Sequence, residues 1–196
     1  EVLLNDADKI LVYKDKLIHY STKGGAVVVR DINNYDVVLS YDAKSPVVNV
    51  FIKEDAIIIR TKTSISSLKT YNPFFNSSEN WIVQAQDGDI FNKTVETSVG
   101  NILVFSKSGN FYCINSSTGH IVNINKLDAY DDYTFHKDNL EKNIVLYGGG
   151  FLIGIDPYNG KTLWKIRELG VTWPQNRIQF VDNKLIIMKR TELKHQ

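Results

Sequence analysis

The chain of 196 residues has one cysteine, Cys113, one methionine and four prolines. A lone cysteine excludes an intrachain disulfide. No apolar run reaches the roughly 18 residues of a membrane-spanning helix, so no span is expected. Charge of either sign is not in excess: 23 Lys and Arg stand against 22 Asp and Glu, for a net charge of +1. That balance lacks the one-signed field that draws proteins to nucleic acid or anionic membranes, so no nucleic-acid partner is expected. The four histidines, His19, His120, His136 and His195, show neither HxH nor HExxH spacing. Each is expected to be satisfied by neighbours or solvated. G-x-S-x-G, the P-loop and a Cys/His nucleophile pair are missing as well, and a non-enzyme is expected. No stretch longer than about eight residues carries a 3.6-residue apolar period, which leaves little room for helix. The opening residues, EVLLNDADK, do not follow the basic-then-apolar order of a secretory leader.

What the chain does have is a repeat. Residues 143–166, NIVLYGGGFLIGIDPYNGKTLWKI, read as three short β-rich strands. A Gly148–Gly149–Gly150 turn separates the first two. Pro157, Tyr158, Asn159 and Gly160 form the second turn, where Pro presets φ and Asn-Gly supplies positive φ. The same order recurs along the chain. AVVVRD ends in Asp31 as FLIGID ends in Asp156, and Ser117-Thr118-Gly119-His120 takes the place of Tyr158-Asn159-Gly160-Lys161. Hairpin turns near 14–16, 53–55, 99–101, 140–142 and 182–184 recur at about 40–45 residues, the period of four-stranded propeller blades. The expected fold is therefore all-β, a β-propeller of four-stranded antiparallel blades, with about four and a half blades present and a larger propeller implied. The blades are placed at about 10–43, 47–86, 94–125, 133–166 and a partial 178–190. Closure as a small five-bladed ring, with Val2–Leu4 completing the last blade, and pairing with a second chain remain alternatives, since open edges recruit strands.

The order "strand, Gly turn, strand ending in Asp, x-x-N/T-G-K, strand with Trp" resembles the repeat of quinoprotein-like (PQQ-like and WD40-like) β-propellers. The resemblance implies that Trp164 is buried between neighbouring blades. It also implies no quinone cofactor here, because the family's enzymes hold the quinone against a disulfide of adjacent cysteines and this chain has only Cys113. Among cofactor-free members, the chain looks like the lipoprotein scaffold of bacterial outer-membrane protein assembly. That implies a protein-binding module in the periplasm or a secretory lumen. A eukaryotic propeller adaptor, either a substrate receptor or a subunit of an endoplasmic-reticulum complex, is the alternative, although WD and GH signatures are missing.

Candidate partner-binding residues lie in aromatic or acidic loops, which can vary without breaking the sheets. Tyr71, Phe74 and Phe75 surround Pro73 in one. Trp173 and Pro174 follow blade four. Tyr130, Asp131 and Asp132 belong to an acidic group with Asp128, Asp138 and Glu141, expected to form a solvated inter-blade loop in a stretch, 127–140, with room for one helical turn. The Trp173 loop and this acidic group are expected on one end of the propeller and the Phe74–Phe75 loop on the other. A basic or extended peptide meeting Trp173 is therefore the expected partner. Asp87-Gly88-Asp89 reads as a turn. The three sequons at Asn76, Asn92 and Asn115 barely exceed chance and favour a secretory location only slightly.

Overall fold

The structure, a computed structural model, describes residues 8–53, 55–69, 79–127, 133–138, 143–148, 151–167, 178–182 and 184–187. Alternating and uniformly apolar segments of four to seven residues form the strands. In the first sheet β1 is Lys9–Tyr13, β2 Lys16–Tyr20, β3 Ala26–Asp31 and β4 Val37–Asp42. In the second, β5 is Val47–Lys53, β6 Ala56–Thr61, β7 Ser64–Lys69 and β8 Glu79–Gln84. The third contains β9, Phe91–Glu96, β10, Asn101–Ser106, β11, Asn110–Asn115, and β12, Ile121–Lys126. The fourth contains β13, Thr134–Lys137, β14, Ile144–Gly148, β15, Phe151–Ile155, and β16, Thr162–Arg167. A two-stranded sheet, β17 Ile178–Val181 and β18 Lys184–Ile187, follows. Every four-stranded sheet is an antiparallel meander in chain order. These are several blades of a β-propeller.

One irregularity recurs in all four. The pairing of third and fourth strands slips by a residue after Val29, Ser67, Cys113 and Gly154. An extra residue at a fixed point raises the local twist, as blades require. It also makes positions equivalent between sheets. The residues facing those four across the ladder are Leu39, Trp81, Asn123 and Trp164. By the same registers, the second strands or their entries begin at Lys16, Ala56, Asn101 and Asn143.

The core lies between sheets. Successive side chains of a strand point to opposite faces, so the run Ile57-Ile58-Ile59 serves two seams. Ile57 and Ile59 join Val29, Leu39 and Val50 between sheets one and two. Ile58 joins Trp81, Ile102 and Tyr112 between sheets two and three. Leu103, Cys113, Tyr133 and Ile153 fill the third seam. Val145, Tyr147 and Leu152 meet Phe180 and Leu185 of the two-stranded sheet. Burial on both faces is why these strands read as continuous apolar runs.

Several expectations need correction. The first strand of sheet three begins at Phe91, before residue 94, because Phe91 plugs the second seam edge-on to Tyr112 at 5.2 Å. The stretch 127–140 contains strand β13; the helical turn it had room for would fall on 128–132 or 139–140, outside the described residues. Asp138 is buried, not solvated: its carboxylate accepts from Asn143 Nδ2 at 2.5 Å. His19 is half-buried, with its Nε2 buried and without a hydrogen-bond partner among the described residues. Trp164 is 38% exposed, whereas Trp81 at 8% fills the inter-blade post. Residues 2–4, named for ring closure, lie outside the described residues.

The turn at 86–89 is present as a single 3-10 turn, Gln86–Gly88, with Asp87 at φ 51°. Asp89 then braces the neighbouring hairpin. Its carboxylate accepts from the amides of Ile90 (2.8 Å) and Ser108 (3.1 Å), from Asn110 Nδ2 (3.1 Å) and from the Ser108 hydroxyl. Burial pushes this carboxyl up, but bonds from the Ser106 and Ser108 hydroxyls and the two amides overcome it and hold it down to about 2. Such a lowered group stabilises the fold above its unfolded value of about 3.9, and that contribution disappears as pH falls through its folded value. Asp89→Asn is therefore expected to flatten the loss of stability between about pH 4 and pH 2. Denaturant midpoints across that window check it; parallel curves for the two proteins would refute the assignment.

Candidate functional site: the seams and the open face of the fourth sheet

All eight candidate partner-binding residues, Tyr71, Phe74, Phe75, Tyr130, Asp131, Asp132, Trp173 and Pro174, lie outside the described residues. The strands around them fix how the loops connect. Residues 70–78 join β7 to β8, the third and fourth strands of one sheet. Residues 128–132 lie between β12 and β13, and 168–177 between β16 and β17, both joining one sheet to the next. In a meander these two classes of connection open on opposite ends.

The described geometry concentrates specific recognition at the turns between third and fourth strands. Three of them share one form. In 31–36, 115–120 and 156–161, the first amide donates to the sixth carbonyl (3.0, 2.9 and 2.9 Å) and the fifth amide donates to the first carbonyl (3.0, 2.9 and 2.7 Å). An Asp or Asn opens each turn because its side chain accepts amides inside it. Asp31 Oδ1 takes Asn33 N at 2.9 Å, Asn115 Oδ1 takes Ser117 N and Thr118 N at 3.1 and 3.0 Å, and Asp156 Oδ1 takes Tyr158 N at 2.8 Å. The fifth residue has positive φ: Tyr35 at 66°, Gly119 at 71° and Gly160 at 69°.

Turns three and four each lock onto the preceding sheet. In the second seam, Trp81 Nε1 donates to Ser116 O at 2.9 Å and Asn80 Nδ2 to Ser117 O at 3.2 Å. In the third, Asn101 Nδ2 donates to Pro157 O at 3.0 Å and Tyr158 O at 2.7 Å. The second and third carbonyls of the turn are thus captured in both cases, by different side chains. Contact is close at the fifth residue. A β-carbon on Gly119 would lie 2.6 Å from Trp81 Cγ, and one on Gly160 would lie 2.6 Å from Cys113 Cβ. Burial, with Asp156 nearby, pushes the Cys113 thiol up to about 11. Across the first seam the Tyr41 hydroxyl donates to Glu79; burial, then that bond, pushes the phenol up to about 12.

The fourth sheet carries the same positions on the face that meets the two-stranded sheet. Trp164 lies against Gly154, where any β-carbon would run into the indole. Its ring, Leu163, Asn143 and Val145, with Phe180 and Leu185 opposite, bound a cavity of about 180 Å³. The sequence pointed to Trp164 but missed Trp81, Asn101 and Asn143. Their signal was an Asn or Trp at a fixed offset from the turn, visible only once registers are aligned. Among the described residues no group of three His, Cys, Asp or Glu could hold a metal ion.

No family model and no curated protein matches the chain. Solved structures do. BamB from Moraxella catarrhalis is similar at a TM-score of 0.58 and 15% identity, over 81% of this chain and 47% of that one. Hsv2 of Kluyveromyces lactis is similar at 0.59 and 14%, over 83% and 51%. The β-propeller domain of Myceliophteria thermophila Cps50 (Swd1) is similar at 0.55 and 11%, over 79% and 55%. The chain therefore spans about half the length of these structures, and at such identities the likeness is one of fold.

Proposed function

We propose that the chain is a non-catalytic protein-binding scaffold on a quinoprotein-like β-propeller, similar in type to the lipoprotein of bacterial outer-membrane protein assembly. One observation supports this reading above others. The sheets share the same slip between third and fourth strands, yet in two classes of connection, third to fourth strand and sheet to sheet, the longest segment is an aromatic one. Third and fourth strands are joined by residues 32–36, 116–120 and 156–161 in three sheets, but by 70–78 in the second. Sheets are joined by 43–46, 85–90 and 127–133, but by 168–177 after the fourth. Extra length placed on a rigid scaffold, with Tyr71, Phe74 and Phe75 in one segment and Trp173-Pro174 in the other, fits recognition better than packing.

The Trp173 loop is the chosen interface. It opens on the same end as Tyr130, Asp131 and Asp132, so a basic or extended peptide would meet an indole beside carboxylates. Pull-down from source extract with wild type, Trp173→Ala and Phe74→Ala/Phe75→Ala, each confirmed folded, tests this. Loss of partner with Trp173→Ala alone is expected. Loss with the double variant alone would move the interface to the other end, and loss with neither would end the loop hypothesis. The likeness to Hsv2 and Swd1, at TM-scores comparable to that of BamB, supports a eukaryotic adaptor as the second reading.

A further inference from the structure

We propose that Asn115 carries an N-linked glycan, on an amide nitrogen that has no acceptor among the described residues, and that the glycan covers the end of the propeller where third and fourth strands are joined. This goes beyond the scaffold reading and does not rest on it.

Asn115-Ser116-Ser117 is an Asn-x-Ser acceptor sequence. What singles it out is its position at the opening of the 115–120 turn. The sister turns 31–36 and 156–161 open with Asp at the same point. In all three, Oδ1 accepts an amide from inside the turn, and a carboxylate serves that purpose as well as a carboxamide does. The second side-chain atom is where they differ. Asp31 Oδ2 takes Lys16 Nζ at 2.9 Å, and Asp156 Oδ2 takes Asn159 Nδ2 at 2.7 Å. Asn115 uses only its oxygen, which accepts from Ser117 N, Thr118 N and the Thr118 hydroxyl. Its Nδ2 is not one of the buried polar atoms without a partner, so it reaches solvent.

The backbone around that nitrogen is fully engaged. Asn115 N donates to His120 O, and Asn115 O accepts from Gly119 N, both at 2.9 Å. Ser116 N and Oγ both donate to Gly100 O, at 2.9 and 2.7 Å, and Ser116 O accepts from Trp81 Nε1 at 2.9 Å. Ser117 and Thr118 are exposed. A surplus amide thus projects from a turn that is held on both sides.

Transfer would join Nδ2 to the anomeric carbon of a sugar, from an oligosaccharide linked to a lipid pyrophosphate. The lipid pyrophosphate leaves, and one amide proton passes to a base of the transferring enzyme. Oδ1 takes no part in the new bond, so the turn keeps its hydrogen bonds from Ser117 N and Thr118 N at 3.1 and 3.0 Å. The glycan would stand near Asn80, whose Nδ2 donates to Ser117 O at 3.2 Å. A bulky, hydrated group there excludes protein from that end. The opposite end, where the sheet-to-sheet connections open, is left for a partner. Asn92, in the other described sequon, lies within β9 and serves as the comparison.

The test isolates the chain from its source, denatures it and treats it with peptide N-glycosidase in heavy-oxygen water, which turns a glycosylated Asn into Asp carrying the heavy oxygen. Label at Asn115, in the tryptic peptide of residues 108–126, is expected. It should vanish in Ser117→Ala and persist in Ser117→Thr. In unglycosylated protein, Asn115→Asp is expected to keep the urea midpoint of the wild type, whereas Asn115→Ala lowers it by removing the acceptor of two amides. Asn115 unlabelled in the source protein, or label confined to Asn92, would overturn the proposal. So would an Asn115→Asp midpoint as low as that of Asn115→Ala, because the amide nitrogen would then serve the fold.

Discussion

Trp81→Ala is expected to lower the unfolding free energy by about 3–5 kcal/mol, the range for truncating a large buried aromatic. The indole is 8% exposed, lies against Gly119 and donates to Ser116 O, so its removal opens a cavity and orphans a carbonyl in one seam. Trp164→Ala, at the equivalent register but 38% exposed, is expected to cost about 1 kcal/mol or less, as surface changes do. Urea melts of the two variants check both values together. Equal losses would mean that the two indoles are equally covered, and the assignment of closed and open seams would fail.

Gly119→Val is expected to be nearly as damaging, at about 2–5 kcal/mol. Two costs add: a left-handed backbone, about 1–2 kcal/mol for a residue with a side chain, and overpacking against the indole, about 1–3 kcal/mol. Gly88→Val separates them. Gly88 has φ 73° and nothing within 4 Å of a built β-carbon, so it carries the backbone cost alone. A difference of less than about 0.5 kcal/mol between the two variants would show that the Trp81 ring yields without loss, leaving only the backbone cost of about 1–2 kcal/mol.

The blades were legible because two local signals coincide in them. Runs such as Ala56–Thr61 and Asn101–Ser106 are apolar on both faces, and the turns between strands carry Gly or Asp at most positions of positive φ, with Lys14, Tyr35 and Lys44 at the others. Which tryptophan would be covered was not legible. Trp81 and Trp164 occupy the same register, and the difference among the described residues is that the 115–120 turn of the next sheet covers the Trp81 ring. That is a property of the next sheet, not of the residues around the indole. The buried Asp138 was missed for a similar reason. Its partner, Asn143, comes from the next strand, and the surrounding run of acids reads as solvent-exposed. The loop residues Trp173 and Phe74 stood out by composition, while Asn101, an ordinary Asn by composition, proves to hold two carbonyls of a neighbouring sheet.

The way a turn docks has a consequence for how such a chain grows and fails. At the second and third seams the turn carbonyls come from the later sheet and their donors from the earlier one, so docking there is directional, like a polymer with unlike ends. Its stability approximates a sum of nearest-neighbour couplings. A whole blade inserted between the third and fourth keeps every coupling provided it brings one donor pair and one glycine turn. Duplication of such a unit is then nearly neutral, whereas the loss of one glycine uncouples two stretches of otherwise intact sheet. Unfolding is accordingly expected to separate at the weakest coupling first, with the chain parting into cooperative blocks and not fraying strand by strand.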